Sequence, residues 1–159
     1  NMDYKVKGLS GSSSTNAPEV PVENEEDFNH IDEDLAYLIN MNEIIMDVDP
    51  LNAPPVSVLE SWKSKYKHIY ISRVVSPDEY YIWRTIRRGE FKKLNSDNCF
   101  ENPTAGYEIL VETCLLYPTP NVQWMLTSPA GVIESLGKQI SYQSGFVSDA
   151  ELINLIRVV

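Results

Sequence analysis

Apolar positions along the chain change their rhythm several times, and each change predicts an element. Residues 8–27 carry little that can be buried: Gly8 and Ser10 to Ser14 lead into Pro18, Pro21 and the acids Glu23 to Asp27. Too little apolar surface is present to offset the entropy of ordering, so the segment reads as disordered. From Ile31 the pattern turns helical. Ile31, Leu35, Leu38, Ile39, Met41, Ile45 and Met46 recur near a 3.6-residue period among Asp32, Glu33, Asp34 and Glu43. The spacing predicts a short acidic amphipathic helix over 32–46, capped by Asn29 or Asp32 and terminated before Pro50. Such a helix either docks on the chain's own core or binds a partner.

Pro50, Pro54 and Pro55 each remove a backbone donor and push the preceding residue towards extended geometry, which predicts a linker and a domain boundary. One or two helical turns follow over 57–66 with Val58, Leu59 and Trp62. Residues 68–74 and 80–84 are β-branched and aromatic, and Ser76-Pro77-Asp78-Glu79 between them has turn chemistry, so a β-hairpin is expected. An isolated hairpin is marginal in water and needs helices or another strand on one face.

Helical spacing then resumes. Ile86, Phe91 and Leu94 predict a short basic helix containing Gly89. Asn102-Pro103 is a cap followed by a proline tolerated at the first helical position, and Tyr107, Leu110, Val111, Cys114 and Leu115 form one stripe that ends before Pro118. Pro118, Pro120 and Asn121 predict a loop. Ser128-Pro129 starts another helix with Val132, Ile133, Leu136 and Ile140 on one face, and Gly145 stands where a helix C-terminus needs a glycine. Ser148-x-x-Glu151 is a capping box before Leu152, Ile153 and Ile156. The expected class is α+β: an acidic N-terminal arm over 1–55, then a domain over 56–159 made of a β-hairpin and about four helices.

Charge sharpens this division. The 159 residues have a formal net charge of −10, but residues 1–60 hold thirteen acids and two bases, residues 61–95 nine bases and three acids, and residues 96–159 two bases and seven acids. Either these are solvated surface charges, or the acidic arm folds back on the basic middle or competes there with an acidic partner. An acidic chain is a poor candidate for general nucleic-acid binding. The basic middle, with Tyr66, Tyr70, Tyr81 and Trp83 among its lysines and arginines, is the one feature of that kind. No nucleic-acid partner is expected. No apolar run approaches the ~18 residues of a membrane span, and the N-terminus has no charged-then-apolar signal pattern, so no membrane partner is expected either. Cys99 and Cys114 are too few for a disulfide scaffold, and a reduced cytosolic chain is the simpler reading.

Catalytic chemistry finds little support in the residues. His30 and His68 are distant in sequence, so a histidine-rich zinc site is not expected. Asp47-x-Asp49 and Asp32-Glu33-Asp34 are weak cation candidates that lack the pattern of a calcium loop. Ser135-x-x-Lys138 has the spacing of a penicillin-recognising serine site, without its companion elements. Cys114 reads as a small core residue and Cys99 as an unactivated loop thiol. No catalytic residue, metal ligand or cofactor is predicted.

One constellation points elsewhere. Tyr81-Ile82-Trp83-Arg84, then Arg88-x-Glu90-Phe91-x-x-Leu94, follows a strand-turn-strand; Glu112-Thr113-Cys114-Leu115-Leu116-Tyr117-Pro118 closes a helix with proline; Pro129-Ala130-Gly131-Val132 opens one that runs through Leu136 and Ile140 to Ser144-Gly145-Phe146. In order and spacing, residues 62–147 resemble tail-assembly chaperones and small baseplate (hub) assembly proteins of long-tailed bacteriophages. The acidic arm has no counterpart in that resemblance. It implies a non-enzymatic assembly chaperone that shields a tail protein, tape-measure or hub, in the cytoplasm of the infected bacterium. A permanent component of the virion baseplate is the alternative, and a small acidic-site enzyme a remote one. By the same resemblance the partner-contact candidates are Tyr81, Trp83, Arg84, Arg88, Phe91 and Tyr117. Each aromatic among them reads equally as a core side chain.

Overall fold

The computed structural model describes residues 25–74, 79–97 and 99–158, with backbone alone at 25–32, 97 and 99. The segment expected to be disordered lies, up to residue 24, outside the described residues, and so do positions 76–78 of the expected hairpin turn. Helix α1 spans Glu25–Val48 and is therefore longer than the 32–46 predicted. The described residues fall into two units that divide between Tyr37 and Leu38. In the first unit, the described side chains of Leu35 and Tyr37 are exposed.

The second unit begins inside α1. Leu38, Met41 and Ile45, at i, i+3 and i+7, bury one stripe with Leu59 and Ile82, while Ile39 and Met46 of the same apolar pattern face solvent. Helix α2, Val56–Tyr66, starts directly after Pro55 and supplies Leu59. Strands β1, Tyr70–Val74, and β2, Glu79–Trp83, then pair antiparallel, with Tyr70 opposite Trp83 and Val74 opposite Glu79. Strand alternation sends successive side chains to opposite faces. Tyr81 and Trp83 go to one side, and Tyr80 and Ile82 to the other, against α1 and α2.

Helix α3, Arg88–Leu94, leads through 3-10 turns at Asn95–Asp97 and Cys99–Glu101 to α4, Pro103–Cys114. The Asn102 side chain caps α4 by accepting the Thr104 N–H at 3.1 Å. The end of its apolar stripe is not helical. Leu115–Tyr117 forms β3, antiparallel to β2, and completes a sheet of order β1-β2-β3. The loop expected after Pro118 holds a further short helix, α5, Val122–Thr127, capped by Asn121. Helix α6, Ala130–Gln143, packs on α4 through Val132, Leu136 and Ile140, which join Tyr81, Trp83, Leu110, Val111 and Cys114 in the larger core cluster. Gly137 makes this contact close: a Cβ there would lie 2.5 Å from Cβ of Tyr107. The Ser148–Glu151 capping box opens α7, Asp149–Leu155. Seven helices and one three-stranded antiparallel sheet among the described residues make an α+β fold, with the sheet of the second unit between the Leu38–Val48 part of α1 with α2 on one side and α4–α6 on the other.

Candidate functional site

The six residues singled out as contact candidates separate into core and surface. Tyr81 and Trp83 are 1% and 3% exposed, so burial withdraws both from any partner surface. Trp83 stacks on Tyr70 at 4.7 Å between ring centroids and donates its indole N–H to Ser72 at 2.8 Å. Tyr81 donates its hydroxyl to Glu79 at 2.9 Å; burial, then that carboxylate, pushes the phenol pKa well above its usual value. Tyr117 is half-buried on the opposite face of the sheet and donates to Asp49. Asn52 donates to the same carboxylate at 3.1 Å, so Asp49 acts as an internal acceptor rather than a free member of an Asp-x-Asp pair.

Arg84 is also a core residue, 7% exposed, and its charge is answered from several sides. Its guanidinium makes a two-pronged pair with Glu90 at 2.7 and 2.9 Å, donates to the Thr113 carbonyl at 3.1 Å, and lies 4.5 Å from the Tyr66 ring centroid. The Thr113 carbonyl belongs to the last turn of α4, where the helix dipole favours a cation. Burial is the largest single influence and works against the Arg84 charge, but the Glu90 hydrogen bond and the surrounding negative groups together outweigh it and the pKa rises; the Arg84 bond holds the Glu90 carboxyl below its ordinary range. This node fixes the start of α3 relative to β2 and α4.

Fixing α3 presents Phe91. Its ring lies 4.7 Å from Phe100 and 5.0 Å from Phe146, centroid to centroid. Each of the three arrives by a different local device. Phe91 follows the first turn of α3, where the Glu90 carboxylate accepts the Arg87 N–H at 3.2 Å. Phe100 sits in a 3-10 turn and approaches α4 at Gly106, where a Cβ would come within 3.2 Å of its ring. Phe146 ends α6 in a Schellman turn: its N–H donates to the Ser141 carbonyl at 3.0 Å, that of Gly145 to Tyr142 at 3.1 Å, and Gly145 takes φ +95.

Together these rings, with Tyr107 and Leu110, line a solvent-open cleft of about 340 Å³. Phe91 and Phe146 also wall a neighbouring cleft of about 320 Å³ that Arg87 and Arg88 help to line. A third cleft, about 430 Å³, lies across Tyr107 and is lined by Met125, Leu126 and Ile133. Of the six candidates, Phe91 and Arg88 therefore meet on one surface. Phe100 and Phe146 belong to the same site and were not anticipated, although an apolar residue just after the helix-ending Gly145 is itself a Schellman signal.

Other chemistry-bearing groups are committed to structure. Cys114 is fully buried and burial pushes its thiol up to about 12. Lys138 is exposed and paired with Glu134 at 3.0 Å. Arg87 donates to the Lys65 carbonyl at 2.8 Å. Among the described residues no group of three His, Cys, Asp or Glu side chains is placed to hold a metal ion, and no helix is long and apolar enough to cross a membrane. No family model, curated protein or solved structure matches the chain.

Proposed function

We infer that the protein is a non-enzymatic binding module that assists assembly of a phage tail or baseplate, acting in the infected cell as a chaperone for an apolar segment of a tape-measure or hub protein. The observation that carries the binding role is the cleft of Phe91, Phe100 and Phe146 opening beside Arg87 and Arg88. Aromatic walls offer large apolar contact area at low entropic cost, and a cationic rim selects a segment whose apolar residues are flanked by acids. An amphipathic helix laying apolar side chains into a groove meets both requirements. The phage setting rests on the resemblance of residues 62–147 described above.

The test is co-expression of the full chain with the tail and baseplate proteins of its virus, capture of the chain, and identification of what accompanies it. A tape-measure or hub protein is expected to co-purify with the wild type and to be lost from a Phe146→Ser, Arg88→Glu variant. Both substituted side chains are exposed, so the fold is expected to survive. Capture of no tail protein, or equal capture by the variant, overturns the reading.

A further inference from the structure

Helix α7 bears a face that the other described residues leave uncovered. Leu152, Ile153 and Ile156 of the α7 segment form an i, i+1, i+4 stripe and are 49, 69 and 68% exposed, while Leu155 and Val158 are 67 and 99% exposed. Asp149 stands one turn before the stripe, three residues from Leu152 and four from Ile153, so the helix offers an acid followed by aliphatics along one line. The phenylalanine cleft offers the complement: Arg87 and Arg88 line the part that shares Phe91 and Phe146 with the part lined by Phe100 and Tyr107.

We propose that two copies of this chain form a closed dimer in which α7 of each lies in the phenylalanine cleft of the other, with Asp149 against Arg88 and Ile153 and Ile156 against the aromatic walls. Charge complementarity sets the direction of the helix in the cleft, and apolar burial supplies the affinity. The two surfaces are close together on one chain, because Phe146 is a wall of the cleft and Ser148 already caps α7. Adjacent complementary patches are what a two-fold arrangement needs: each copy gives and receives the same contact, and the assembly closes at two. The apolar side chains of α7 face solvent and Asp149 matches the cleft's arginines, so the helix of a second copy occupies the cleft until a client segment of the same acid-and-aliphatic pattern displaces it.

Sedimentation of the purified full chain over a concentration series tests this without any client protein, so its failure leaves the proposed assembly role to its own experiment. The expected species has twice the 18.1 kDa chain mass. Ile153→Asp and Ile156→Asp together should weaken the dimer by roughly a hundredfold, about 1.4 kcal/mol for each tenfold step. These positions are exposed in the chain, and an unchanged circular dichroism spectrum and unfolding curve would show that the fold is intact. Arg88→Glu and Asp149→Lys should each weaken association, and the two combined should restore most of it. A monomer at all concentrations overturns the proposal, as does a dimer indifferent to both sets of substitutions. A monomer whose phenylalanine signals in NMR shift with Ile153→Asp would place α7 on its own cleft and overturn it equally.

Discussion

Arg84 holds a charge in the core only because Glu90, the Thr113 carbonyl and the Tyr66 ring converge on it. Taking the Glu90 charge away leaves that cation facing a neutral amide, the costly way to break such a pair. Glu90→Gln is expected to lower stability by about 1–3 kcal/mol in urea unfolding near neutral pH, below the ~3–5 kcal/mol of a fully buried pair because water reaches Glu90. The effect should depend on pH with a defined sign. The folded-state pKa of Glu90 lies below its ordinary 4.5, so its stabilisation is present above that value and fades as pH falls through the lowered one. The gap between wild type and Glu90→Gln should therefore narrow on acidification; a constant gap would refute the ionic contribution. Cys114 gives a second check at this scale. With its thiol pushed up to about 12, it should resist thiol reagents at mildly alkaline pH in a Cys99→Ser background and react only on unfolding.

At the scale of elements, two glycines separate packing from propensity. Gly137 lets α6 lie against Tyr107, and the added methyl of Gly137→Ala would fall 2.5 Å from Cβ of that residue. Overpacking should exceed the helix-propensity gain, for a net loss of about 1–3 kcal/mol. Gly89, in the first turn of α3, has nothing within 4 Å of a Cβ, so Gly89→Ala should stabilise by about 0.4–1 kcal/mol. Thermal unfolding of the pair checks both, since the signs are opposite. The elements also show what was readable from sequence. The hairpin announced itself through β-branched and aromatic runs, and α4 and α7 through Asn102-Pro103 and Ser148-x-x-Glu151, because these signals are local. Strand β3 was hidden because Leu115 continues the apolar stripe of α4, and only pairing with β2 draws Leu115–Tyr117 into the sheet. Helix α5 spans six residues, too few to show a period. The cleft was half legible: Phe91 and Arg88 lie on a recognisable helix, whereas Phe100 and Phe146 come from turns whose meeting depends on α4 and α6.

At the scale of the whole molecule, the division at Tyr37 and Leu38 changes which fragment should stand alone. A boundary at the proline linker would discard Leu38, Met41 and Ile45, the α1 side chains that cover Leu59 and Ile82. Each such loss from a core costs about 2–5 kcal/mol. Residues 38–159 are expected to unfold in one cooperative transition, while residues 56–159 should lose that cooperativity and expose apolar surface to a dye; a calorimetric scan of both fragments decides it. The charge division of the sequence does not follow the same line, because Arg84, one of the nine bases in the middle segment, spends its charge inside the fold.

Helix α4 passes into β3 at Cys114 and Leu115 without an intervening loop, and the Cys114 carbonyl at that point accepts the Arg84 N–H at 3.0 Å. No slack exists there to absorb a change in chain length. One inserted residue would turn the helix behind it by about 100° or flip the strand ahead of it to its other face. Insertions and deletions accumulated over time should therefore be purged from 103–117 and tolerated at 118–120. The seam between helix and strand works as a ruler that fixes how many residues this part of the chain must have.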